Sequence, residues 1–181
     1  MTDTPSDWRA ILQFNQDLIA QGLDLVDALQ RQPGQDFAQH CGPHLRHLVE
    51  HYEALLQGLR ERRAPGAVAV AYDRRCRDRR LEREPRLMRR RLQGLQQALA
   101  ALDPCDPDTP CAVELCGGDG GEQVWVSRST LARELLFLAS HTTHHYALIR
   151  SGLAERVQAL PAGFGKAPAT LRHEAAHERA A

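Results

Sequence analysis

The segment Ser140-His141-Thr142-Thr143-His144-His145-Tyr146 combines residue types and a spacing that can hold a metal ion. On an α-helix, residues four apart lie one turn from each other on the same face, so the imidazoles of His141 and His145 can reach a common ion. His144 turns away, because at about 100° per residue it lies well off the stripe formed by Leu131, Leu135, Leu138, Thr142 and Ile149. His141 and His145 lie at the edge of that stripe. An imidazole that faces inward without a hydrogen bond or a bound ion is costly, so the pair calls for a partner. A third ligand is available upstream, where His40, His44, His47 and His51 line one edge of another apolar face. Periodicity leaves the choice among them open, and by angle His44 and His51 lie nearer the leucines than His47 does.

Four stretches with helical periodicity must position these residues. The first, from about Ser6 to Gln32, repeats Trp8, Ile11, Leu12, Leu18, Ile19, Leu25, Val26 and Leu29 at three- and four-residue steps and stops at Pro33-Gly34. The second starts near Pro43, a residue suited to a first helical position, and carries Leu45, Leu48, Tyr52, Leu55, Leu56 and Leu59 to the break at Pro65-Gly66. The third presents Met88, Leu92, Leu95, Leu99 and Leu102 between Pro85 and Asp103-Pro104. The fourth, from about Ser129 to Gly152, holds the histidine pair. Between the third and fourth, Cys111 to Cys116 and Gln123 to Val126 alternate around Gly117-Gly118-Asp119-Gly120-Gly121, the pattern of a β-hairpin. The fold expected is all-α: a four-helix bundle with a small β-hairpin between helices 3 and 4, occupying residues 1–171, followed by a frayed or disordered tail over 172–181.

Composition narrows the function classes. The 181-residue chain can bury a core, and no apolar run approaches the roughly 20 residues that cross a bilayer, so no membrane partner is expected. The start, Met1 to Ser6, has neither a basic stretch nor an apolar core, which makes a cytoplasmic location the expectation. Five cysteines, an odd number, argue against a disulfide framework, and Cys105, Cys111 and Cys116 lack C-x-x-C spacing. Lys and Arg together number 23, as do Asp and Glu, so nothing global points to a nucleic acid. The ten arginines between Arg74 and Arg91 could grip an anion, but at zero net charge a solvated face laced by ion pairs is the favoured reading.

Several segments together resemble a known family. Gly42-Pro43-His44-Leu45-Arg46-His47-Leu48 and His141-Thr142-Thr143-His144-His145 look like the two signatures of the DinB-like (DinB/YfiT-like) metal-binding four-helix-bundle superfamily: a glycine with histidine five residues later, and a histidine pair at i and i+4. Tyr72 to Asp78 with Glu82, Ser129 to Leu135, and Phe164 to Leu171 resemble one bacterial branch of it, in the same order. Carried over residue by residue, the resemblance implies the metal ligands His47, His141 and His145. It also implies a divalent ion, a homodimer and, by analogy with some relatives, transfer of a low-molecular-weight thiol. Many members follow the second histidine with Arg-Gly-Gln, whereas Tyr146-Ala147-Leu148 stands here, so their activity does not carry over directly.

Three neutral imidazoles leave coordination positions open, as in catalytic rather than closed structural sites. Imidazole suits zinc or nickel, with iron also compatible. The ion could activate water for hydrolysis or hold a thiolate for transfer, on a small-molecule or thiol substrate. The alternative is a non-catalytic metal- or small-molecule-binding bundle in stress response. His40, His44, His51 and His144 read as surface or hydrogen-bonded histidines, and the His173, His177 pair lies in the tail. Glu134, two turns before His141 on nearly the same face, can orient an imidazole, act as a base or simply face solvent. Asp73, Arg77 and Asp78, with Tyr72 and Arg75, cluster between helices and read as a wall of the site or as support for its ligands.

Overall fold

The computed structural model describes residues 8–31, 37–63, 66–103, 105–153 and 160–179. All four anticipated helices form: α1 (Trp8–Gln30), α2 (Gly42–Glu61), α4 (Pro85–Ala100) and α5 (Leu131–Leu153). Two shorter ones, α3 (Arg80–Arg83) and α6 (Pro168–Glu178), bring the described helices to six. A π-helical turn, Phe37–Cys41, runs straight into α2. Pro43 and Pro85 sit at the starts of α2 and α4, where a missing N–H costs nothing.

The long helices pack as a bundle, α1 against α4 and α5, and α2 against α5 and α4. Each turns its periodic stripe inward. Ile19, Leu25 and Val26 of α1, Leu45, Val49 and Leu55 of α2, Met88, Leu92 and Leu99 of α4, and Leu131, Leu135 and Ile149 of α5 are buried in one cluster. A polar network runs through this core. Tyr52 Oη donates to Asn15 Oδ1 at 2.7 Å, Asn15 Nδ2 donates to the Ile11 carbonyl at 2.9 Å, and the Thr142 hydroxyl lies 3.3 Å from Tyr52 Oη. It joins α1, α2 and α5 with its polar atoms partnered, which is the condition for burying them. Tyr146 Oη adds a bond to the Leu18 carbonyl at 2.7 Å.

The structure departs from the sequence expectation in three places. The sheet has three strands: β1 (Val68–Ala71) pairs parallel with β2 (Pro110–Gly117), which pairs antiparallel with β3 (Gln123–Thr130). A parallel pair needs a long crossover, and the segment carrying α3 and α4 supplies it. The run Val68-Ala69-Val70-Ala71 is too short to stand out by periodicity, yet Val68 and Val70 are fully buried, and a Cβ on Gly58 of α2 would collide with the Ala69 carbonyl. Ser129 and Thr130, expected to open the fourth helix, end β3 instead. The tail expected to be frayed from Arg172 is helical through Glu178, although none of the residues of α6 is buried.

Gly42 explains one sequence signature in physical terms. A Cβ there would collide with the backbone carbonyl of Glu82, so only glycine lets α3 lie against the start of α2. Gly42→Ala should therefore destabilise the protein by about 1–3 kcal/mol, the usual cost of overpacking a rigid contact. A urea denaturation midpoint unchanged in that variant would contradict this close approach.

Candidate metal centre

Helix α2 presents His44, His47 and His51 to α5, which answers with His141 and His145. Among the described residues, one group of metal-ligating side chains has its ligand atoms all within 4.8 Å of one another: His47, His141 and His145. His47 Nε2 lies 2.9 Å from His141 Nε2, so one nitrogen carries the hydrogen that the other accepts. The rings of His47 and His145 are 4.6 Å apart, as are those of His141 and His145. Tetrahedral ligation at about 2.0–2.1 Å per nitrogen places ligand nitrogens about 3.3 Å apart, so the set fits a divalent ion with small ring rotations.

The other histidines fall into distinct places. His44 Nδ1 is 2.9 Å from His145 Nδ1 and fixes that ring from outside the trio. His51 is buried and its Nδ1 lies 2.7 Å from the His47 carbonyl, which requires Nδ1 to be the donor. That bond leaves Nε2 as the lone-pair nitrogen, yet His51, favoured over His47 by helical angle, is not among the three histidines whose ligand atoms lie within 4.8 Å of one another. Its ring also stacks on Tyr72, with centroids 5.3 Å apart. His144 is exposed, as its angle predicted, and the His173, His177 pair sits on the exposed face of α6. Cys111 is buried, and burial pushes its thiol up to about 11, far from a metal-binding thiolate.

Burial is also the first cause of the state of the imidazoles. It pushes His47 down to about 2, helped by the charges of His51, Arg75, His145 and His141, and takes His145 down to about 3, helped by His141, His44 and His144. His141 and His44 are lowered in the same way. His51 falls to about 4, burial outweighing the hydrogen bond to the His47 carbonyl. Every ring in the group is therefore neutral at neutral pH, the form that donates a lone pair to a metal.

The expected supporting residues sit around the centre rather than on it. Glu134 is buried and accepts hydrogen bonds from Tyr72 Oη at 2.8 Å and Ser129 Oγ at 2.5 Å, with no bond to an imidazole among those described. It braces the sheet against α5. Asp73 Oδ2 accepts the Cys116 amide at 2.8 Å, and Asp78 pairs with Arg80 at 2.7 Å, which holds its carboxyl down to about 2. Arg77 is exposed, with a left-handed backbone at φ 52°. Two residues of this segment touch the histidines: Tyr72 stacks on His51, and Arg75 places Nη1 2.5 Å from His47 Nδ1 and 3.2 Å from His51 Nδ1. Glu50 makes that placement firm: its carboxylate, buried on α2, takes Arg46 Nη1 at 2.7 Å and the Asp78 amide at 2.9 Å. Arg46 also pairs with Glu82 at 2.7 Å. In sequence Glu50 reads as one more polar helix residue, and nothing in its spacing marks it.

A test follows from His51. The folded protein holds it near 4, whereas the unfolded chain titrates near its ordinary 6.5, so between those values the unfolded chain binds the extra proton. Stability of the metal-free protein is then fully present above the unfolded value and declines as pH falls through the window. The urea midpoint should drop between about pH 7.5 and about pH 4.5, and His51→Phe should flatten part of the fall. An identical slope in the variant would show that His51 is not held neutral.

A protein named FK506-binding protein 5 from Rhizopus delemar is 28% identical over 102 residues, 56% of this chain and 26% of that protein, so the chain spans about a quarter of that relative's length. No solved structure matches significantly. The family model described as DinB superfamily matches residues 12–149, which run from α1 into α5 and include all three clustered histidines. The chain belongs to the DinB superfamily.

Proposed function

We propose that this protein is a metal-dependent enzyme whose divalent ion, zinc or nickel with iron as a further option, is held by His47, His141 and His145. The observation that carries the reading is the convergence of three neutral imidazoles from two helices on one point. Such a donor set leaves coordination positions for water or substrate. The bound ion would supply Lewis acidity, turning water into a nucleophile for hydrolysis or keeping a low-molecular-weight thiol as thiolate for transfer.

This chain's own residues do the rest. His44 fixes the ring of His145 through the 2.9 Å Nδ1 contact, and the Asn15, Tyr52, Thr142 network holds α2 at a set height against α5. Phe137, stacked on His141 at 5.5 Å, and Tyr72, 5.4 Å from Phe137, give the centre an aromatic wall that limits access of water. On the far side of that wall lies an open cleft of about 430 Å³ between β2, β3 and α5, lined by Leu115, Arg128, Arg133 and Phe137 among others and by none of the clustered histidines.

Elemental analysis of purified protein should find about one divalent ion per chain. His141→Ala, His145→Ala and His47→Ala should each abolish stoichiometric binding, because two imidazoles make a weak site, while His144→Ala and His51→Ala should retain it. Metal that survives loss of His47 but not of His51 would overturn the ligand set. Added thiol should perturb the spectrum of the cobalt-substituted protein; a saturated ion that ignores thiol would favour a non-catalytic binding bundle.

We also propose a twofold homodimer. The apolar residues Val124, Trp125 and Val126 stand exposed on β3, at the edge of the sheet, which supports self-association. Sedimentation at micromolar concentration should show a dimer; a monomer alone would refute this. Among the described residues, no helix is long and apolar enough to cross a membrane.

A further inference from the structure

We infer that Arg75 is the residue that receives the anionic group of the molecule brought to the three-histidine centre, and that this group is a carboxylate. The inference rests on the metal reading above and adds the substrate class.

Three observations converge on Arg75. The first is that its segment is pinned: the Asp78 amide binds Glu50 and Asp73 accepts the Cys116 amide, so the loop cannot swing the guanidinium away freely. The second is an incomplete counter-charge. Glu50 and Asp73 lie near enough to favour the Arg75 cation, but Glu50 is engaged by Arg46, Asp73 accepts the Cys116 amide, and among the described residues neither forms a direct ion pair with Arg75. The third is that Arg75 Nε is buried without a hydrogen-bond partner, the one such side-chain atom among the described residues. A buried donor left unmade costs free energy, so a position of this kind is explained by a ligand that fills it.

The fork of the guanidinium specifies the ligand. Nε is the atom without a partner, and its edge of the guanidinium presents two parallel N–H donors that match the two oxygens of a planar carboxylate. The contact with His47 itself cannot persist at a loaded centre. His47 Nε2 faces His141, so when that nitrogen gives its lone pair to an ion, the ring hydrogen resides on Nδ1 and opposes the Arg75 N–H. His51 Nδ1 offers no alternative, since it donates to the His47 carbonyl. Three neutral imidazoles around a dication leave the charge uncompensated, with a fixed cation alongside. A carboxylate bound on the Arg75 fork would answer the unpartnered donor and would bring negative charge beside the centre.

The test uses the full chain loaded with cobalt(II), with sodium acetate as probe and visible absorption of the bound ion as readout. Arg75→Gln should keep stoichiometric cobalt and weaken acetate binding tenfold to a hundredfold, the range for losing a charge-assisted hydrogen bond. Arg75→Lys, which keeps the charge and loses the fork, should fall between the two. Equal acetate affinity in wild type and Arg75→Gln would overturn the assignment while leaving the metal reading intact. Loss of cobalt from both Arg75 variants would also overturn it, since the residue would then serve to support the ligands. A wild-type protein that takes up no cobalt would sink the metal reading and this inference together, so the cobalt content tells the two failures apart.

Discussion

A cluster of imidazoles packed between two helices is tolerable only if the rings stay neutral and their polar atoms find partners, and this constraint governs how α2 meets α5. Burial drives the rings to the neutral form, with His47 near 2 and His145 near 3. Neutral rings can then share hydrogens, as His47 does with His141 and His44 with His145. A slide of α2 along α5 would break these pairings. The buried Asn15, Tyr52, Thr142 network opposes such a shift, because every member would lose a partner inside the core.

The sheet and the arginine-rich segment follow from the same need. One side of the histidine cluster must be closed by something other than a helix, and the segment from Tyr72 to Asp78 does it, anchored to α2 by Glu50 and to β2 through Asp73. β1 runs into that segment, so its parallel pairing with β2 sets where the loop begins. The arginines beyond it mostly do what a solvated face does. Arg74 pairs with Glu114, Arg80 with Asp78, Arg89 with Asp27 and Arg91 with Glu53, all partly or largely exposed and each worth little. Arg75 differs because it is turned inward among neutral rings and has no such partner.

Glu134 shows how one residue can be recognised as important for the wrong geometric reason. Its helical angle relative to His141 is as expected, but Tyr72 and Ser129 take up both carboxylate oxygens, and the side chain locks the end of β3 and the start of the Tyr72 segment to α5. Its contribution to the centre passes through Tyr72, which stacks on His51 and contacts Phe137.

The sequence by itself determined the four long helices, the hairpin, the histidine pair at one-turn spacing and the outward turn of His144, because each of these is a local property of period and turn chemistry. It could not choose His47 over His51 by angle. Which of the two rings comes within ligand distance of His141 and His145 depends on how α2 packs on α5, and the resemblance to the family, not periodicity, pointed to His47. Only the tertiary structure decided that Gly42 is required by the Glu82 backbone and that β1 joins the hairpin as a third strand. It also decided that Glu50 holds the loop on α2 through the Asp78 amide and that Arg75 is the arginine that reaches His47. These are contacts between residues distant in the chain, and no local pattern encodes which of ten neighbouring arginines will be turned inward until the helices have packed.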